Sequence, residues 1–428
     1  MKHILSIPLT ILTLLGVVLS SSAHAQKQLR YENHIYEDDI QTVLLYQSNT
    51  NYPVPVLKMG TNDALTLMFD ELTNNNDYYQ ITLVHCNAYW YPSDLQPLQY
   101  LDGSDYEDIT NFKFASNTYQ RYVHYEISFP NSNIRPKLSG NYLLKVYRNF
   151  DKEDVIITRR IFVLDTKVNF EIDIKPATIA DARFSRQEVD FTARVKDYQI
   201  MNPHQDVTVI LSQNNRWDNA ITGLKPLFIV GNEYRYNYER ENLFDGTNEF
   251  RFVDFRSFRA FSQNVKDRYI DGVYNLILKP EEKRGYQRYV EFIDFNGKRV
   301  VANNDLKTNG ALDGDYAWVY FQLQAQTPLR TGELYLIGEM SDWKPLPRFK
   351  MNYNAAAQSY EAKVLLKQGY YSYLYMTVDD EGMAYNTFET EGNYMETEND
   401  YYIYFYCRNQ SFDYDELIGF THSSSKVR

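Results

Sequence analysis

Apolar residues along this chain come in short runs rich in Val, Ile, Tyr, Phe and Thr, and Asn, Asp, Gly or Pro closes each run. That punctuation predicts strands rather than helices. Ala64-Leu65-Thr66-Leu67-Met68-Phe69 leads into the turn cluster Thr73-Asn74-Asn75-Asn76-Asp77, and Tyr79-Gln80-Ile81-Thr82-Leu83-Val84 follows, alternating polar with apolar. Ser139-Gly140 opens a strand over Asn141 to Tyr147; a polar loop, Asp151 to Asp154, separates it from a returning strand over Val155 to Leu164. No stretch supports a helix of more than a few turns.

A second block starts near Thr166, with strands expected over Glu188–Val195, Val207–Leu211, Tyr234–Tyr238 and Glu249–Phe255. Tyr289 to Phe295, then Asn296-Gly297, then Lys298 to Val301 reads as a hairpin, because Asn-Gly readily takes the positive φ angles of a type I′ turn. Polar Ala302 to Asp315 reads as a linker into a third block that opens with Ala317-Trp318-Val319-Tyr320-Phe321-Gln322-Leu323. Closely spaced strands bounded by turn residues are the mark of sandwiches. The expected fold is all-β, with three consecutive β-sandwich domains of immunoglobulin-like or early-set-like type. The expected partition is a signal peptide over 1–25, then domains over 26–165, 166–312 and 313–428.

The leader is read from Met1-Lys2-His3, the apolar stretch Ile4 to Leu19 and the small-x-small Ala23-His24-Ala25, which signal peptidase cleaves after. Export with cleavage before Gln26 is expected. Loss of Lys2 moves the formal charge from −12 to −13. With 56 Asp and Glu against 44 Lys and Arg, the composition excludes a basic nucleic-acid binder, and 39 Tyr exclude a disordered chain. Two cysteines, Cys86 and Cys407, exclude a disulfide framework and read as inert buried thiols; pairing would need their Cα atoms within ~7 Å.

Active-site signatures are missing. There is no H-E-x-x-H, C-x-x-C, G-x-S-x-G elbow, phosphate-cradling glycine loop or calcium loop. His85 and Cys86 are neighbours, but adjacent residues of a strand point to opposite faces. Glu37-Asp38-Asp39, Asp313-Gly314-Asp315 and Asp379-Asp380-Glu381-Gly382 read as solvated turns, since turns favour Asp and Gly on their own account. A hydrolase built from carboxylates on distant strands is left open, though nothing promotes it.

Gly332 to Trp343, followed by Ser359 to Leu366 and Lys367-Gln368-Gly369-Tyr370-Tyr371-Ser372-Tyr373, resembles the early-set immunoglobulin-like modules related to glycogen- and starch-binding domains. That resemblance implies a sugar-stacking platform of Trp343 with Tyr371 or Tyr373. An exported carbohydrate-binding protein is therefore the second reading.

The first reading rests on longer strings. Tyr31-Glu32-Asn33-His34-Ile35-Tyr36, Ile40-Gln41-Thr42-Val43, His85-Cys86-Asn87-Ala88-Tyr89-Trp90, Pro92-Ser93-Asp94-Leu95 and Tyr100-Leu101-Asp102-Gly103 come in order. His124-Tyr125-Glu126, Leu138-Ser139-Gly140-Asn141-Tyr142, Asn215-Arg216-Trp217-Asp218-Asn219-Ala220 and Gly246-Thr247-Asn248-Glu249-Phe250-Arg251 follow. Lys367-Gln368-Gly369-Tyr370-Tyr371 and Thr397-Glu398-Asn399-Asp400-Tyr401 close the series. From about Tyr31 to Phe420 the chain resembles the plug protein family of the type IX secretion system of Bacteroidota; Tyr89 stands where a small acidic residue is expected. The resemblance implies a periplasmic protein, held peripherally at the outer membrane, that closes the periplasmic opening of the large outer-membrane translocon barrel when no substrate or exit partner is engaged. It implies no catalysis, no cofactor, no metal, no nucleic acid, no membrane span and no small-molecule substrate. It assigns the barrel as partner without naming the sealing residues. Exposed tyrosines crowded on one face are the expected seal.

Overall fold

A computed structural model describes residues 27–47, 54–73, 77–260, 262–382 and 385–426. The signal peptide expected over 1–25 lies outside the described residues. Strands dominate what is described, and the α-helices Pro97–Tyr100 and Pro203–Asp206 are single turns, each opened by a proline. No described helix is long and apolar enough to cross a membrane.

The first sandwich faces one sheet, ordered Ile40–Gln47, Leu65–Glu71, Val123–Phe129, Asn111–Phe114, against another centred on Asp151–Leu164, Gly140–Arg148 and Tyr79–Cys86. Leu67, Phe69 and Tyr125 from one sheet meet Ile81, Leu144, Val146 and Ile161 from the other. Asp151 to Asp154, expected as a loop, belongs to the returning strand. The reversal needs only Asn149 and Phe150, both at positive φ (55° and 62°), which is the geometry of a two-residue hairpin turn.

The second sandwich is where linear expectation and strand pairing part. One of its sheets holds Val168–Pro176, Arg186–Val195, Glu233–Tyr236 and Phe228–Val230. The other pairs Val207–Gln213 with Asp400–Asn409, which in turn pairs with Tyr414–Ser424 from the far end of the chain. Strand pairing thus crosses the boundary expected between 312 and 313. It crosses again in the other direction, because Arg251–Asp254 and Val273–Leu278 join the third sheet, against Gly369–Val378 and Tyr316–Gln324. That ten-stranded sheet bends around Val253, Phe255, Leu276, Phe321, Leu336 and Tyr373.

The reason lies in one strand. Tyr401, Ile403, Phe405 and Cys407 point into the second sandwich, whereas Tyr402, Tyr404 and Tyr406 point the other way. A strand apolar on both faces must be covered on both. The cover for the tyrosine face is the first sandwich, whose Leu143, Phe162, Leu164 and Cys86 also turn outward from their own core. Four sheets therefore stack in sequence with three apolar layers between them.

At the expected hairpin the turn forms and the ladder does not. Asn296 and Gly297 take φ of 49° and 78°, and Lys298 N donates to Phe295 O at 3.0 Å. Arg299–Val301 then pairs with Gly369–Val378 rather than with Tyr289 to Phe295. Gly297 has a second reason to be glycine: a Cβ there would come within 2.2 Å of the Trp343 ring. Gly297→Ala is expected to cost about 1–3 kcal/mol through overpacking, read as a lower urea midpoint. An unchanged midpoint would show that the Trp343 ring yields freely.

Candidate functional site

The first sandwich and the ten-stranded sheet meet around buried charge. Asp70, on the strand Leu65–Glu71, receives Lys367 Nζ and the Tyr316 hydroxyl on one oxygen, both at 2.6 Å, and His124 Nδ1 on the other at 2.6 Å. Both Asp70 and Lys367 side chains are only 1% exposed. Burial pushes the Asp70 carboxyl upward, but Lys367 and His124 outweigh it and hold it below its ordinary range. Lys367 also donates to Ala311 O at 3.0 Å and lies 4.1 Å from the centre of the Tyr122 ring. The stretch 302–315, expected as a linker, is therefore part of the interface. Its Asp315, expected to be solvated, is buried and accepts the backbone N–H groups of Tyr119 at 2.6 Å and Gln120 at 3.0 Å.

Beside this lock a cleft of about 820 Å³ opens between the sandwiches. Three of the four tryptophans, Trp90, Trp217 and Trp343, line it. Arg160 lies between two of them, 4.5 Å from the Trp90 ring and 4.8 Å from Trp217, while its guanidinium donates to Tyr31 O at 2.8 and 3.0 Å. Burial lowers Arg160 to about 10, which still leaves it charged at neutral pH. His34, at the rim, is lowered to about 4 by burial and by the nearby Lys344 and Arg30, so it adds no charge there. Trp90 (φ 68°), Asp342 (51°) and Trp343 (59°) all sit in the left-handed region, which is costly for bulky residues and persists only where surroundings impose it.

The sugar-stacking candidates are placed inside. Trp343 is 8% exposed and packs edge-on to Phe250. Tyr371 stacks on Phe255 and donates to Lys367 O, and Tyr373 packs edge-on to Phe321 and donates to Glu281 at 2.8 Å. A stacking platform needs an open ring face, and Tyr371 and Tyr373 have none. His85 and Cys86 diverge as adjacent strand residues must; burial lowers the imidazole to about 4 and raises the thiol to about 12. Cys86 and Cys407 are both free and buried. Among the described residues no group of three or more His, Cys, Asp or Glu could hold a metal ion.

Exposed aromatics occur on several parts of the surface rather than as one expected face. Tyr78 stacks with Phe150, Phe112 meets Phe114, and Tyr286 meets Phe388. Beneath the Trp343 turn, burial raises Asp294 to about 7; the N–H groups of Asn296 and Phe250 oppose this, and Glu249 reinforces it. A carboxyl that binds its proton more tightly when folded contributes stability below the ordinary carboxylate range and loses it as pH rises through about 7. Wild type should therefore lose stability relative to Asp294→Asn between about pH 4 and pH 7. Urea midpoints that run parallel across that window would contradict this.

Residues 40–165 match the model of the type 9 secretion system plug protein first domain. No curated protein matches the chain. Among solved structures, the crystal structure of a hypothetical protein from Parabacteroides merdae ATCC 43184 superimposes with a TM-score of 0.88 at 31% identity. The match covers 93% of this chain and all of that one. The matched family segment ends where the first sandwich ends, so the strand exchange of the other two lies beyond it.

Proposed function

The chain belongs to the plug protein family of the type IX secretion system, and from that premise we propose that it is a non-enzymatic periplasmic plug, exported by a leader cleaved after Ala25. It binds the periplasmic opening of the outer-membrane translocon barrel and seals it while no substrate or exit partner is engaged. The observation that carries this reading is mechanical. Domains joined by single linkers move relative to one another unless a large apolar interface holds them. Here the interface is apolar, the chain of the ten-stranded sheet is inserted between two paired strands of the second sandwich, and a buried ion pair bolts that sheet to the first sandwich. A stopper that must resist passage through a wide pore needs that stiffness. The acidic surface serves partner choice, since like-charged surfaces are turned away and complementary ones are drawn in. A mild-detergent pull-down of the tagged mature protein from its host should recover a large outer-membrane barrel. Recovery of the protein without any barrel, at several detergent strengths, would count against docking.

A further inference from the structure

The cleft between the sandwiches is unbalanced in its hydrogen bonding. Among the described residues, three donors on its walls are buried with no hydrogen-bond partner: Arg159 Nη2, Arg299 Nε and the Trp90 indole Nε1. All three are N–H groups, which can only donate. Buried donors without acceptors are rare and costly, and where they occur something absent commonly completes them. The nearest carboxylate to Arg159 is Asp342, at 3.4 Å and outside hydrogen-bond geometry, and Glu339 is 4.0 Å from Arg299.

Charge points the same way. The lining carries Arg30, Arg159, Arg160, Arg299 and Lys344. Of the facing carboxylates, Asp218 is already engaged by Arg216 at 2.5 and 3.2 Å, and Glu32 is paired with Lys344 at 2.9 Å. Asp342 is held below its ordinary range because Arg159, Arg299, Lys344 and Arg348 together outweigh its burial. Five cations of the lining thus face four carboxylates, Glu32, Asp218, Glu339 and Asp342, in a chain that is acidic overall. Guanidinium groups in a partly dry site favour carboxylate and phosphate oxygens over water. The indole walls add a flat apolar surface beside them, and ~300–1,000 Å³ is the usual size of a small-ligand site.

We propose that this cleft is a binding site for an anionic group, a carboxylate or phosphate, carried on an apolar or aromatic body that lies beside Trp217, the half-buried indole of the lining. The anion accepts from Arg159 and Arg299.

The test uses the mature protein and its own tryptophan fluorescence, since three of four indoles line the cleft. A short peptide ending in phenylalanine with a free C-terminal carboxylate is titrated against the same peptide amidated, and inorganic phosphate is titrated separately. The expected result is saturable quenching by the free acid, with the amide at least tenfold weaker, which assigns a carboxylate on an aromatic body. Saturation by phosphate alone would overturn the apolar body and leave a free-anion site. Equal response to acid and amide without a phosphate response, or no saturable response to any probe, overturns the proposal. Arg299→Gln should weaken the response at least tenfold. Because Arg299 also donates to Val43 O at 2.6 Å, its fold is checked by circular dichroism, and the acid–amide comparison in wild type decides if the variant does not fold.

Discussion

Replacing Lys367 by methionine is expected to destabilise the protein by about 3–5 kcal/mol, because it strands the Asp70 carboxylate in the interior. The pair is a bolt between the first and third sandwiches, and each partner is 1% exposed. Asp70 would keep the hydroxyl of Tyr316 and the imidazole of His124, so the loss is partial rather than total. The double variant Asp70→Asn with Lys367→Met removes both charges and should recover a measurable share of the lost stability, as coupled neighbours do. Urea unfolding of the two singles and the double checks this. A cost below about 1 kcal/mol for Lys367→Met would place the pair among solvated surface bridges and remove the bolt from the account.

The second large effect is expected at Phe162. Its ring sits 4.7 Å from Tyr404, 5.3 Å from Trp90 and 6.1 Å from Trp217, and it is buried where the first and second sandwiches face each other. Phe162→Ala should cost about 3–5 kcal/mol. Its location gives a second signature. Phe69 lies inside the first sandwich, packed on Tyr79 and Tyr125, so Phe69→Ala should lower stability while leaving unfolding a single transition. Phe162→Ala opens a seam between units and should broaden unfolding or split it in two. Identical single transitions in both variants would mean that the seam contributes no more to cooperativity than an ordinary core.

Strands were legible wherever one face is buried and the other half-exposed. Tyr316–Gln324 alternates in this way, and its expected run over Ala317–Leu323 was close to the observed bounds. What could not be read was which strand pairs with which. Asp400–Asn409 is apolar at every position from Tyr401 to Cys407, so period alone gives it no side. Only the outward apolar residues of the first sandwich, Leu143 and Phe162, explain its two-sided burial, and those are distant in sequence. Tyr289 to Phe295 shows the opposite failure. It alternates and ends in a good turn, yet its expected partner, Arg299–Val301, pairs with the distant Gly369–Val378 instead.

The candidate sites were legible to a lesser degree. Trp343 follows a strand at a turn, as its sequence pattern indicates, and the turn folds inward onto Phe250 and the cleft. Arg159, Arg160 and Arg299 are arginines on two separate strand-like runs, and no local pattern joins all three. Two adjacent arginines, Arg159-Arg160, inside the run Val155–Leu164, apolar elsewhere except at Thr158, are the available signal, since such residues are rarely buried without a purpose. The excess of tyrosine has a clear first destination. Tyr402, Tyr404 and Tyr406 cover the seam between sandwiches, while Tyr373 and Tyr375 fill the third core.

Entry of a large hydrophilic antibiotic, normally excluded by the outer membrane, into cells lacking this protein tests the plug most directly. If the protein seals the translocon barrel, its deletion should raise entry, most of all when exit components are also missing, and the wild-type gene should restore exclusion. Entry unchanged by deletion in both backgrounds would contradict sealing.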